Sequence, residues 1–294
     1  MKDIIEYIVV IILIFILRLL PYRVAFFIGE QLCALLYFID KKHKEIAYNN
    51  IKKSFGTEKN DEEIKKIIKE TFKNIGRSFI EFIWLPKFKK GKLKELIGID
   101  GAENLHKAFS KKKGVIGIVS HFGNWELIGA TFPMIYPGQS SAIAFPQGNV
   151  LTDRMINNIR RSTGLKIIYT GPSVKEVLRN LNNREIVGFL ADQDAGDGGI
   201  FVDFFGRKAS TAKGPVVLAL KTGAPVIMVF IIRENRYRHH VVITEELIME
   251  RTGDEEKDIL VNTRKWIKIL EDFIRKYPEQ WFWVHRRWKT QPKN

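Results

Sequence analysis

Apolar residues recur along this chain in three rhythms. The first is a solid run: Tyr7 to Leu17 is unbroken, and Leu19-Leu20 extend it past Arg18. A second apolar stretch, Val24 to Ile39, is interrupted by Glu30-Gln31. The second rhythm is helical. Ile64, Ile67, Ile68, Phe72, Ile75, Phe79, Phe82 and Ile83 fall three or four apart, which predicts one long amphipathic helix with its stripe in the core. Asn60 stands at its start as N-cap, Glu63 is placed for a capping box, and Pro86 ends it. A lysine-rich joint follows from Lys87 to Lys94. The third rhythm is a series of short β-branched runs, which predict strands at Gly114–Ser120, Ser141–Phe145, Lys166–Tyr169, Ile186–Leu190, Pro225–Ile232 and His240–Thr244. Helical patterns over 126–133, 151–162, 173–182, 212–222 and 256–276 alternate with them. Such alternation argues for an α/β fold: a mostly parallel central sheet flanked by helices.

The N-terminal run is a membrane element of some kind or a buried helix. It is shorter than the ~20 residues that span a bilayer comfortably. A secretory signal peptide is disfavoured because Asp3 and Glu6 spoil the basic leader and no small-x-small cleavage site follows. A single spanning helix and a shallow in-plane anchor both stay open, and a run this short also suits a core helix over 4–20. If it spans, Arg18, Arg23 and the Lys41–Lys44 cluster place the body on the cytoplasmic side. Val24–Ile39 reads as a helix packed on the body or lying in the interface rather than as a second span. The expected organisation is therefore a hydrophobic anchor over 1–40 and a catalytic domain over 41–294.

Composition narrows the partners. The 294 residues are enough for a sizeable core. Lys and Arg number 48 against 33 acids, a formal charge of +15, which suits an anionic partner: a phospholipid surface, an acidic carrier protein, a phosphorylated substrate or nucleic acid. The single cysteine, Cys33, excludes an internal disulfide and a cysteine-based metal site; in its apolar stretch it reads as a small buried hydrophobe.

The most informative chemistry is the segment His121-Phe122-Gly123-Asn124-Trp125-Glu126, directly after the predicted strand ending at Ser120. A histidine thus sits at the carboxyl end of a strand, the edge where open α/β sheets bind ligands. In one regular helix, positions five apart point about 140° away from each other, because each residue turns roughly 100°. His121 and Glu126 can therefore meet only if the chain turns between them. Gly123 permits such a turn and Asn124 is a good N-cap. Glu126 reaching back would orient the imidazole and make His121 a general base toward a hydroxyl, beside a helix N-terminus that favours an oxyanion. The bland alternative is a loop histidine and a capping carboxylate, since H-x4-E is a short pattern with accidental matches.

The H-x4-[DE] pattern after a strand resembles the signature of the glycerolipid-type acyltransferases, and the wider chain resembles one branch of them, the lipid A late acyltransferases (lauroyl or myristoyl transferases). Ile46-Ala47-Tyr48-Asn49-Asn50-Ile51-Lys52-Lys53-Ser54-Phe55 is similar to the family's "IA-x-x-NL-x-x-x-FP" stretch, with Ile51 for Leu and Gly56 for Pro. Asp153 to Gly164 resembles the segment with a functional arginine, Ala191-Asp192-Gln193-Asp194 and Val202 to Ala209 its Asp-Gln-Asp and Phe-Phe-Gly stretches, and Tyr277 to Trp288 its Trp-rich carboxyl end. The resemblance implies the same α/β architecture. It also implies transfer of a fatty acyl chain from an acyl thioester, acyl carrier protein or coenzyme A, to a hydroxyl of a lipid A precursor at the cytoplasmic face of the inner membrane. The mycobacterial phosphatidylinositol mannoside acyltransferases belong to the same superfamily, so another glycolipid acceptor is the second reading. No cofactor beyond the acyl co-substrate and no metal is expected. His121 and Glu126 are the expected catalytic pair.

Other residues are weighed against that reading. Arg160 stands four before Gly164, the spacing associated with the family's arginine, with Arg161 beside it; a guanidinium here suits a phosphate, and a solvated helix end is the competing reading. Asp192 and Asp194 end a predicted strand and can position a sugar hydroxyl or hold an arginine; their D-x-D spacing invites a metal, which no further ligand cluster supports. With Asn124 these four complete the candidate substrate-binding set. Ser120 is the only nucleophile candidate and lacks an elbow pattern, so direct attack without an acyl-enzyme is expected. Gly196-Asp197-Gly198-Gly199 lacks the register of a phosphate-binding loop. Phe204-Phe205-Gly206-Arg207 can line an acyl groove or simply pack. His239-His240 reads as a surface pair. His285-Arg286-Arg287 with Trp281, Trp283 and Trp288 suits a membrane boundary, stacking on bases or plain core packing. A basic nucleic-acid-binding protein is the rival of a different class; no nucleic-acid partner is expected under the leading reading.

Overall fold

The structure, a computed structural model, describes residues 1–88, 90–170 and 174–292, with Lys90 by its backbone alone. Its centre is a seven-stranded sheet built from β1 (Ile97–Asp100), β2 (Val115–Val119), β3 (Ser140–Ala144), β4 (Lys166–Tyr169), β5 (Ile186–Leu190), β8 (Val226–Arg233) and β9 (His239–Ile243), in the spatial order β1-β9-β8-β2-β5-β3-β4. Every pairing in it is parallel except the β8–β9 hairpin. A separate antiparallel hairpin joins β6 (Ile200–Phe204) to β7 (Arg207–Thr211). The α/β class and all six expected strands are present, each end within a residue or two. Edge strand β1 and the β6–β7 hairpin were not expected, because neither shows a long β-branched run.

β2 and β5 lie side by side in the middle of the sheet. Covered by helices on both faces, they carry apolar residues on both, as the continuous runs required. Ile116 and Ile118 join Val187, Met228, Phe230 and Trp266 on one side; Val115 and Val119 join Ile186, Ile227, Val229 and Ile231 on the other. The helices that matter for the site are α7 (Trp125–Ile135) after β2, α8 (Val150–Arg161) after β3, and α4 (Asp61–Trp84). The α4 start is the expected capping box: Asn60 Oδ1 accepts from the Glu63 amide at 3.0 Å, and Glu63 Oε2 from the Asn60 amide at 2.8 Å. The helix expected over 173–182 is α9 (Val174–Asn182), residue 173 lying outside the described residues, as does Lys89 of the lysine-rich joint. Part of that joint, unexpectedly, is helical: α5 spans Lys90–Leu96.

The N-terminal forty residues form α1 (Lys2–Leu19) and α2 (Tyr22–Ile39). By length and composition α2 is apolar enough to cross a membrane, with a mean hydropathy of 1.4. Its inner face is seated on α4, with Ala25, Phe26, Gly29, Glu30 and Ala34 buried. The two helices meet at glycines: a Cβ on Gly76 would stand 2.2 Å from the Gly29 carbonyl oxygen and 2.8 Å from Cβ of Cys33, a thiol that is half-buried where full burial was expected. On α1 only Ile14 and Leu17 are buried, while Ile5, Ile8, Val9, Ile12, Phe15 and Ile16 are exposed. Both ends of α1 are tied to the body. Asn149 Nδ2 donates to the Asp3 carbonyl at 2.8 Å, and Arg18 Nε to the Ile83 carbonyl at 2.7 Å. Gly76→Ala forces α2 off α4 and is expected to cost about 1–3 kcal/mol of stability, as overpacked cores do; thermal unfolding of the variant against the parent measures it.

Candidate active site

Two parallel strands that pair in register deliver their following residues to the same level. Val119 of β2 faces Leu190 of β5, and the Ala191 amide donates to the Val119 carbonyl at 3.2 Å. Two residues further on, His121 and Asp192 meet. His121 Nδ1 bonds Asp192 Oδ1 at 2.7 Å, and the His121 backbone amide donates to Oδ2 at 2.9 Å. Trp281 Nε1 donates to Oδ2 as well, at 2.8 Å. The carboxylate is thus held by three donors and is 1% exposed, whereas the imidazole is 15% exposed. Burial alone would raise the Asp192 carboxyl, but the charge of His121 and these hydrogen bonds outweigh it and hold the group below its ordinary value. An acceptor-only carboxylate requires the proton on Nδ1, which leaves Nε2 as a bare base with no partner among the described residues. Trp125 and Phe282 flank the ring at centroid distances of 4.9 and 6.0 Å.

Glu126 does not take the place expected of it. It lies in the first turn of α7 and receives Arg160 from the last turn of α8, through Nε at 2.9 Å and Nη2 at 2.6 Å. The chain does turn at Gly123, whose φ is +56°. It enters α7 at Trp125, and Glu126 in the first turn of that helix is engaged by Arg160 instead of the imidazole. The carboxylate that clasps His121 is Asp192, and the expected His121–Glu126 pairing is corrected accordingly. Arg160 is fixed further by donating to Asn157 Oδ1 at 3.1 Å, while Asn157 Nδ2 donates to Asp153 Oδ2 at 3.1 Å. Burial would lower the Arg160 pKa, but pairing with Glu126 outweighs it and raises it. Arg161 is exposed on the other side of α8.

The remaining candidates separate. Asn124 occupies the N-cap position of α7, but its side chain makes no cap bond. It is fully buried, and Nδ2 donates to Glu81 Oε2 at 2.7 Å. Asp194 turns toward the C-terminal segment, accepting from Thr290 Oγ1 at 2.8 Å and the Thr290 amide at 3.2 Å. Ser120 is buried and its Oγ has no partner. Of the His239-His240 pair, expected at the surface, His239 is 1% exposed and bonds Glu81 Oε1 at 2.9 Å. Trp281, Trp283 and Trp288 are buried, so the aromatic-basic cluster is core packing and offers no stacking platform. Phe204 and Phe205 are buried in the same core. Sequence reasoning missed the clasping role of Asp192 and the Trp281 donor. The available signal was Asp192 at the end of a strand, but strand order is not readable from one chain.

No group of three or more potential metal ligands occurs among the described residues. Residues 2–290 match the model of the bacterial lipid A biosynthesis acyltransferase family. The chain is 28% identical over 276 residues to the lipid A biosynthesis palmitoleoyltransferase of Escherichia coli (strain K12), covering 93% of this chain and 87% of that one. It is 26% identical to the lipid A biosynthesis lauroyltransferase of the same organism, covering 93% and 88%. A shorter match, 26% over 167 residues and 55% of each chain, joins it to the phosphatidylinositol mannoside acyltransferase of Mycolicibacterium smegmatis (strain ATCC 700084 / mc(2)155). The fold and these matches define the class as an acyltransferase acting on glycolipids. The chain belongs to the bacterial lipid A biosynthesis acyltransferase family.

A depressed carboxyl stabilises the fold above its unfolded pKa, and that contribution is lost as pH falls through the folded value. Relative to Asp192→Asn, the parent should therefore keep a constant stability margin above pH ~5, and the margin should shrink below pH ~4. Urea denaturation of both proteins across that range reads it.

Proposed function

We propose that this enzyme transfers a fatty acyl chain from an acyl thioester to a hydroxyl of a glycolipid, a lipid A precursor being the acceptor that the family match favours. The observation that carries the mechanism is the Asp192-held imidazole with a free, partly exposed Nε2. Nε2 takes the proton of the acceptor hydroxyl as its oxygen attacks the thioester carbonyl. The tetrahedral adduct then expels the thiolate, the C–S bond breaks, and the imidazolium returns the proton to sulfur. Asp192 keeps Nδ1 protonated and balances the imidazolium. The amino end of α7 favours the negative charge that develops on the carbonyl oxygen. No acyl-enzyme is needed.

Glu126 and Arg160 act as a unit in this reading. The two-pronged pair fixes α7 against α8 beside the reacting centre, and a guanidinium here suits a phosphate of donor or acceptor. The basic surface suits an acidic acyl carrier protein, with coenzyme A as the other donor. The exposed apolar face of α1 and the outer face of α2 suit an anionic membrane surface, with the body on the cytoplasmic side of the inner membrane.

In an assay offering acyl carrier protein and coenzyme A thioesters to a defined lipid A precursor, with product masses read by mass spectrometry, His121→Ala should lower kcat by about 10²–10⁴-fold. Asp192→Asn should fall in the same range, and turnover unchanged in either removes the mechanism. Glu126→Gln and Arg160→Gln should each reduce turnover, and the double variant should lose little beyond the worse single, as partners in one contact do. Product from a phosphatidylinositol mannoside but not from lipid A precursor would select the second acceptor.

A further inference from the structure

Beneath the catalytic turn lies a charged cluster that the reaction as described does not use. Glu81 of α4 is 1% exposed, and four donors surround its carboxylate. Arg233, at the end of β8, donates from Nη1 to Oε1 and from Nη2 to Oε2, both at 2.7 Å. His239, at the start of β9, donates to Oε1 at 2.9 Å, and Asn124 donates to Oε2 at 2.7 Å. Burial alone would raise the Glu81 carboxyl, but Arg233 and His239 hold it far below its ordinary value. Burial lowers the His239 pKa despite Glu81 beside it. Phe26 of α2 covers the Arg233 guanidinium, 5.8 Å from the ring centre.

The cluster closes a ring around the turn. Arg233 donates its backbone amide to Gln280 Oε1 at 2.8 Å and accepts from Gln280 Nε2 at 3.2 Å. The Gln280 carbonyl accepts from the Gly123 amide at 2.8 Å, and the His121 carbonyl accepts from the Phe282 amide at 3.0 Å. Gly123 has a φ of +56°, and a Cβ there would stand 2.0 Å from the Ile231 carbonyl oxygen. His121, Gly123 and Asn124 are therefore tied to the C-terminal segment or to α4. A buried ion pair is poor value for stability, since well-packed apolar residues often serve as well. Its position is what distinguishes it: it ends on Asn124, the polar side chain of the turn between His121 and α7.

We propose that Glu81, Arg233, His239 and Gln280 are positioning residues that act through Asn124 and Gly123 to hold His121 where its Nε2 meets the acceptor hydroxyl. This rests on His121 being the base. Because Asn124 has no exposed surface, cutting the link should change the chemical step and not substrate affinity. Steady-state kinetics with acyl thioester and lipid A precursor test it on the full chain. Asn124→Ala should lower kcat by about 10²-fold, the loss that a displacement of about 1 Å produces, with both KM values little changed. Glu81→Gln strands Arg233 and can fail to fold. The paired Glu81→Leu/Arg233→Met replaces the ions by apolar groups, keeps the thermal midpoint near the parent's and still takes the acceptor away from Asn124. It should show the same kcat loss. A folded Asn124→Ala or paired variant with parental kcat overturns the proposal, as does a loss of activity that only tracks loss of folded protein. A rise in KM with kcat intact returns Asn124 to substrate binding. If His121→Ala turns over normally, the reading beneath the proposal fails instead; if only His121→Ala is inactive, the positioning role alone fails.

Discussion

A carboxylate taken out of water survives as an anion only if donors surround it, and Asp192 is surrounded by the groups that make the site. Two of its three donors belong to His121 and the third to Trp281, near the other end of the chain. The same contacts that keep Asp192 charged therefore choose the imidazole tautomer, hold the ring, and fasten the C-terminal segment across the sheet edge. The Phe122–Trp281 bridge and the amide of Phe282 continue that fastening. If Asp192 were protonated, all three attachments would weaken together.

The site is layered in charge. At the sheet edge, Asp192 leaves Nε2 of His121 without a partner among the described residues. Beside it, Glu126 is neutralised by Arg160, which keeps a second carboxylate from competing for the imidazole. Below, Glu81 is paired with Arg233, and His239 bonds the same carboxylate. Each acid has its own base, and the division is geometric: the partners come from different strands and helices that the parallel sheet brings to one edge. Isolated buried charges are costly, so these pairings also limit how far the supporting elements can shift.

The apolar N-terminal helices join this framework directly. Phe26 lies over Arg233, and Glu30 is paired with Arg77 of α4 and Arg236 of the β8–β9 turn. The outer faces of α1 and α2 are greasy while their inner faces belong to the core. An exposed apolar surface and the floor of the turn after β2 are thus separated by little more than one helix.

Periodicity alone settled a good deal. The β-branched runs at 115–119, 186–190 and 226–233 identified central strands because buried parallel strands must be apolar on both faces. The α4 stripe and its capping box were local facts that Asn60 and Glu63 declared, and His121 stood out because open α/β sheets bind ligands at the carboxyl ends of their strands. The partner of His121 was not readable, since proximity in the chain favoured Glu126, and strand order, which a single chain does not print, placed β5 beside β2. His239 looked like a surface residue until the β8–β9 hairpin pressed it on Glu81, and Asn124 looked like a helix cap until α4 offered it a stronger acceptor. Local pattern decides what a segment becomes; which acid meets which base is decided by the contacts among segments distant in sequence, because only burial together makes their pairing obligatory.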